Sequence, residues 1–199
     1  LLTRILFYIC GLLITTLGIT WIIKSGIGTG PWDAVFVGLN QNFGLTVGTW
    51  VYIVQALLLL TTSALIKEKP DISSFITIFL RGLFLDFWLY IIFYRIFLDS
   101  IMLSIIFFVI GTILLGIGIS TYLISGYPKS PIDGLMIAIH KKGNLSVRIS
   151  RTLVEVLAVI IGFILGGPIG IGTIIISFSL GPIIQLSNKF IRRLFERYQ

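Results

Sequence analysis

Residues 5–23, 47–66 and 101–124 contain no charged side chain. Each run is longer than the roughly 18 apolar residues that mark a membrane-crossing helix. In hydrocarbon the backbone must satisfy its own N–H and C=O groups, and a helix does this within one segment. The rest of the chain agrees. It is 56% hydrophobic and 12% charged, with a mean hydropathy of +1.06, whereas soluble domains carry about 25% charged residues. These values exclude a soluble fold. The net charge of +7 does not imply nucleic acid as a partner. The surplus Lys and Arg fall in loops and a tail, where they set orientation and meet anionic lipid. The single cysteine, Cys10, sits in an apolar run and has no intramolecular partner. The first run lacks a small-residue cleavage site and is read as structure.

The chain is written twice. Without gaps, residues 5–66 match residues 105–166 at Ile5, Phe7, Gly11, Gly18, Ile19, Ser25, Gly26, Pro31, Asp33, Leu45, Val47, Val54, Leu57 and Leu65. Shared greasy composition does not account for Gly, Ser, Pro and Asp held at one register. In each copy an apolar run ends at Ser-Gly, a Pro-x-Asp motif follows, and a second apolar run begins at Leu-x-Val. Pro suits the first helical position, where no N–H is needed. Asp two places on accepts from free N–H groups and favours the positive end of the helix dipole. The segments 31–41 and 131–140 are therefore expected to be half-length helices; ten residues make roughly 15 Å, half the ~30 Å hydrocarbon core. Gly11 and Gly18, like Gly111 and Gly118, share one helix face and permit close packing.

Full spans are expected at 5–23, 47–66, 72–97, 101–124, 147–165 and 171–186, the last kinked at Gly181-Pro182. Residues 188–199 form a basic tail that reads as a short amphipathic helix on anionic lipid. Basic residues set the orientation. Lys67, Lys69, Lys129, Lys141, Lys142 and the tail fall on one side. The other side carries Lys24, balanced by Asp33, and Arg95, near Asp99. Six spans with both ends cytoplasmic put three spans in each repeat. The second repeat then enters from the opposite side. The expected fold is an all-α integral membrane protein, one transmembrane domain over 1–199, built of inverted repeats of about 1–100 and 101–199. Such proteins place a polar site near the midplane, built from broken helices.

Several residues could carry that site. Asp33 and Asp133 stand in the two half-helices, each with a polar residue seven places on (Asn40, His140). An acid at the third helical position weakens the helix terminus as an anion site, which argues against anionic substrates. Gln55 and Glu155 occupy equivalent positions. An ionised Glu155 at a helix centre costs about 2.5–3.5 kcal/mol, so it needs a partner, a proton or a wet cavity. Arg151 lies four residues before it. Arg81 and Asp86 sit inside the third span, and with Arg151 and Glu155 they would form a neutral cluster. The competing reading is structural: helix capping by the aspartates, and ion pairs that only fix the bundle. His140 has no neighbouring ligands and is expected at the surface, not in a metal site. No phosphate loop, metalloprotease helix or nucleophile–histidine pair occurs, so neither an enzyme nor a cofactor is expected.

The stretch Gly28-x-Gly30-Pro31-Trp32-Asp33 resembles the YczE membrane proteins, within the YczE/YyaS/YitT grouping of bacterial membrane proteins. So do Pro131-x-Asp133-Gly134-Leu135, Leu145-Ser146-Val147-Arg148, Arg151, Glu155, Gly170-x-Gly172-Thr173 and Gly181-Pro182. Family members often have Gly where this chain has Ser130. The resemblance spans nearly the whole chain and implies a bacterial plasma-membrane protein. The expected function is a small-molecule transporter or channel, most simply a secondary carrier. The alternatives are a substrate-binding membrane subunit of a larger transport complex and a regulatory membrane protein with no path. Expected partners are the lipid bilayer and a small-molecule substrate, with room for a homo-oligomer or a partner subunit.

Overall fold

The computed structural model describes residues 1–70, 72–128 and 130–198, without the side chain of Tyr198. Asp71, expected in the polar turn between the second and third spans, and Lys129 and Gln199, placed above on the basic side and in the tail, lie outside the described residues. Among the described residues there are eight α-helices and no strand: α1 (Leu2–Ser25), α2 (Pro31–Phe43), α3 (Val47–Ile66), α4 (Ser74–Asp86), α5 (Ile101–Ile124), α6 (Pro131–Gly143), α7 (Val147–Ile164) and α8 (Ile171–Tyr198). A π-helical stretch, Phe87–Ile92, continues α4.

Five segments are long and apolar enough to cross a membrane: Leu2–Ser25, Val47–Ile66, Ser74–Ile92, Ile101–Ile124 and Ile171–Arg197. Outward side chains such as Phe79, Ile91 and Phe178 are more than half exposed, as lipid-facing residues are. Helix α7 has 18 residues but carries Arg148, Arg151 and Glu155, and it falls outside those five. The third span ends sooner than expected, at Ile92 instead of residue 97. The tail is not a separate element. Helix α8 runs through Pro182 to Tyr198, and Phe195 packs edge-on against Phe7 with ring centroids 5.0 Å apart.

The molecule is organised around the crossing of α1 and α5. A Cβ on Gly18 would stand 2.5 Å from Leu115 N and 2.6 Å from Gly111 O, and one on Gly111 would stand 2.9 Å from Gly18 O. Only glycine allows backbones this close. Gly11 meets Tyr122, Gly18 meets Leu115, Gly118 meets Thr15 and Gly111 meets Ile22. Partner numbers fall on α5 as they rise on α1, so the two helices run antiparallel. The contacts are also reciprocal: shifting both members of a pair by one hundred and exchanging them returns another pair.

Local bonds repeat at the same register. Ser25 Oγ donates to Ile22 O at 2.6 Å and Ser125 Oγ to Tyr122 O at 2.5 Å. Gly26 and Gly126 follow at φ +69° and +76°, which ends each helix in the left-handed conformation. Thr46 Oγ1 accepts from Thr49 N at the start of α3, and Ser146 Oγ accepts from Ile149 N at the start of α7. Asn40 Nδ2 donates to Leu45 O at 2.5 Å, and His140 Nδ1 lies 2.5 Å from Leu145 O. Asn40 and His140 thus close the turn after each short helix.

Packing between the halves is reciprocal too: α2 lies on α7, and α3 on α6. The loop before α2 joins the α7–α8 turn, with Thr29 N donating to Pro168 O at 2.9 Å and Gly172 N to Ile27 O at 3.1 Å. Gly28, at φ +132°, would place a Cβ 2.9 Å from Gly170 N. Gly28 of the Gly28-x-Gly30 motif therefore serves a backbone-to-backbone seam. The halves differ in their outer arms. Helices α3 and α4 meet at Gly48 and Gly82, whereas a Cβ on Gly181, the counterpart of Gly82 once the third helix of each repeat is aligned with one residue of slippage (a shift of ninety-nine), would meet nothing within 4 Å. Helix α8 packs on α5 and makes no comparable contact with α7. Exposed Arg148 stands where the first repeat has Gly48.

Candidate functional site

The short helices present their acids differently. Helix α2 buries every residue from Pro31 to Gly38. Asp33, third in the helix, fits because Gly30 lacks a side chain: a Cβ there would stand 3.0 Å from Asp33 Oδ2. Arg81 Nη2 of α4 donates to Asp33 Oδ1 at 3.2 Å, and the side chains are 16% and 10% exposed. Helix α6 buries only Pro131 and Ala138. Its Asp133 accepts from Arg151 Nη1 at 3.3 Å, and Arg151 also reaches Glu155 Oε1 at 3.1 Å through Nη2. Asp133, Arg151 and Glu155 are 24%, 52% and 29% exposed at their side chains. The first pair is sealed, and the second cluster is open. They are near enough to interact, since Glu155 lies in the fields of Arg151, Asp33 and Asp133.

Arg81 and Arg151 thus each answer one helix-start acid. Asp86 stands apart from them. It accepts from Gly48 N at 2.7 Å and from Thr46 Oγ1, so it caps the start of α3 from across the arm. Gln55 is fully buried; its Oε1 accepts from Ser130 Oγ at 3.3 Å, while its Nε2 has no partner. Lys24, paired above with Asp33 on charge balance, instead lies 5.8 Å from the Phe97 ring centroid. Among the described residues no group of three or more His, Cys, Asp or Glu could hold a metal ion.

Sequence reasoning missed Tyr122. It is 8% exposed and lies in the fields of Asp133, Arg81 and Arg151. With Arg81, Thr15, Thr77, Ser130 and an apolar wall it lines a cavity of about 50 Å³. Nothing in its neighbourhood in the chain marks it, because its role follows from α5 crossing α1 opposite Gly11.

Apolar helices of spanning length, with ionisable side chains turned toward one another between them, define a polytopic α-helical membrane protein. The chain belongs to the family of unknown function DUF6198, whose profile matches residues 2–189. It is 36% identical to the uncharacterized protein YyaS of Bacillus subtilis over 192 residues, 96% of each chain. It is also 36% identical to the uncharacterized membrane protein YczE of the same organism over 202 residues, 97% of this chain and 93% of that one. An uncharacterized protein of Haemophilus influenzae is 30% identical over 173 residues, 87% of this chain and 78% of that one. No solved structure matches. The resemblance carried by the Pro-x-Asp motifs is therefore a family relationship.

Proposed function

We propose that the chain is a small-molecule transporter or channel of the inverted-repeat type, working as a secondary carrier in the bacterial plasma membrane. It is not an enzyme in this reading. The sixth span is α7. Its 18 residues reach about 27 Å at 1.5 Å per residue, and its Arg151 bridges Glu155 on the same helix to Asp133 on α6. Both termini lie in the cytoplasm, with Lys67, Lys69, Lys141, Lys142 and the basic end of α8. The antiparallel, reciprocal crossing of α1 and α5 supports an axis in the membrane plane relating residues 1–100 to 101–199.

One observation carries the functional part. An acid from each repeat, on each short helix, meets an arginine from a longer helix, and both acids act on Glu155. Ionisable groups inside a bundle are costly and mark substrate or ion paths. The sealed Asp33–Arg81 pair and the open Asp133–Arg151–Glu155 cluster are what a carrier open to one side presents. Substrate or coupling-ion binding is assigned to Glu155, Arg151, Arg81, Asp33, Asp133 and Gln55. Asp86 supports them by fixing α3 on α4.

The test is Glu155→Gln in purified protein, screened by thermal shift against a panel of small molecules. Wild-type protein should be stabilised by at least one compound. The variant should fold and lose that response. A folded variant that keeps the full response removes Glu155 from the site. Co-purification of an ATPase would make the chain a subunit of a larger transport complex.

A further inference from the structure

The cavity of about 50 Å³ beside Arg81 is bordered by a guanidinium, the Tyr122 phenol and the hydroxyls of Thr15, Thr77 and Ser130. Arg81 Nε is buried and has no hydrogen-bond partner. The Tyr122 hydroxyl, on a side chain more than nine-tenths buried, lines the same space and makes no hydrogen bond among the described residues. A buried donor left unpaired costs about 1–3 kcal/mol, more when charged. Arg81 Nε is one such donor, and it belongs to a side chain that shares this cavity with the Tyr122 phenol, so a ligand that accepts from both fits the wall. Leu12, Leu115 and Ile119 form the apolar part of the wall.

The repeat supplies a control. Exchanging the halves carries Arg81 to Leu180, Thr77 to Ile176, Tyr122 to Ile22 and Leu115 to Thr15. At that mirror location Ile22 and Ile176 are buried in the main apolar core with Leu180 packed against it, beside the buried Thr15. Aliphatic side chains can therefore stand where the cavity has the guanidinium, the phenol and Thr77.

We propose that this cavity binds a small monocarboxylate, with its carboxylate accepting from Arg81 Nε and Tyr122 Oη and its short alkyl part against Leu115 and Ile119. Guanidinium offers five N–H donors and suits carboxylates, and Asp33 takes one of them, at Nη2. The objection that Asp33 spoils the α2 terminus for anions loses its force here, because the ligand meets Arg81 from the cavity and not the end of α2. The volume admits a group of a few heavy atoms. The inference names a substrate class for the carrier reading and rests on it only for the claim that the ligand is carried. Binding itself is measured apart from transport.

The experiment uses the full chain in detergent, followed by thermal shift and isothermal titration. The probes are sodium acetate, acetamide, and sodium gluconate at matched ionic strength. Gluconate is a carboxylate too large for the cavity, and acetamide is a neutral isostere. Acetate should stabilise the wild type; gluconate and acetamide should not. Tyr122→Phe removes one oxygen and should fold as the wild type does, binding acetate roughly tenfold more weakly, the loss of one hydrogen bond to a charged group. Arg81→Lys gives the same direction if it folds. No acetate response beyond the gluconate control, an equal response to acetamide, or an unchanged response in Tyr122→Phe overturns the assignment. Acetate binding without acetate uptake into vesicles would retain the site and refute the carrier.

Discussion

The two halves share a framework and differ in their arms. In the first, α4 lies against α3 through Gly48 and Gly82, Asp86 ties the arm to the start of α3, and Asp33 is sealed beneath Arg81. In the second, α8 leaves α7, Gly181 faces open space, and Asp133 shares an exposed Arg151 with Glu155. The framework bonds, at Ser25 and Ser125, Thr46 and Ser146, Asn40 and His140, are the same in both. What holds each half together is common to both, and the halves differ where the acids meet their cations.

The sharpest way to break this comparison is to remove the acids one at a time. Asp33→Asn leaves Arg81 buried beside an amide, and breaking a buried pair costs about 3–5 kcal/mol. The thermal midpoint of the purified protein should fall steeply. Asp133→Asn leaves Arg151 its Glu155 and its solvent, and exposed pairs contribute about 0–1 kcal/mol; the midpoint should barely move. Equal losses at both sites would mean that the halves are not sealed and open.

The shared framework gives the next effect. Gly18→Val and Gly118→Val should each destabilise by about 3 kcal/mol, the upper range for overpacking, and should broaden the size-exclusion peak alike. Different outcomes would show that the crossing is less reciprocal than its contacts. Asp86→Asn weakens a helix cap, which costs about 0.5–2 kcal/mol. Gln185, its counterpart, is exposed, and Gln185→Ala should be silent in the same melt. The smallest contrast lies in the arm glycines. Gly82→Ala meets Gly48 O at 2.8 Å and should destabilise. Gly181→Ala meets nothing and should stabilise by roughly 0.5–1 kcal/mol, the helix cost of glycine.

Local chemistry was legible in the sequence. Pro31 and Pro131 open short helices, Ser-Gly closes the first helix of each half, and the glycines of α1 and α5 share a contact face. All of these depend on neighbours within a few residues or on helical spacing. The pairing of Arg81 with Asp33, and of Asp86 with Thr46, depends on how α4 docks. No spacing along one helix encodes that. Thr46, three residues before Thr49, could have been read as a helix cap, which would have freed Asp86 from the expected cluster. Tyr122 had no such signal. The end of α8 misled for another reason: its basic surface suggested an independent element, while Ile191 and Phe195, both buried, bind it to the bundle.

The reciprocal α1–α5 crossing has a further consequence. A surface that matches itself after a half-turn is the interface of a homodimer, here carried on one polypeptide. A chain of half this length, inserted in both orientations, could assemble through that same seam without a single new contact. Carrying both faces of such a seam on one chain lets each side vary alone, and the phenol, the guanidinium and the outward last helix are each found on one side only.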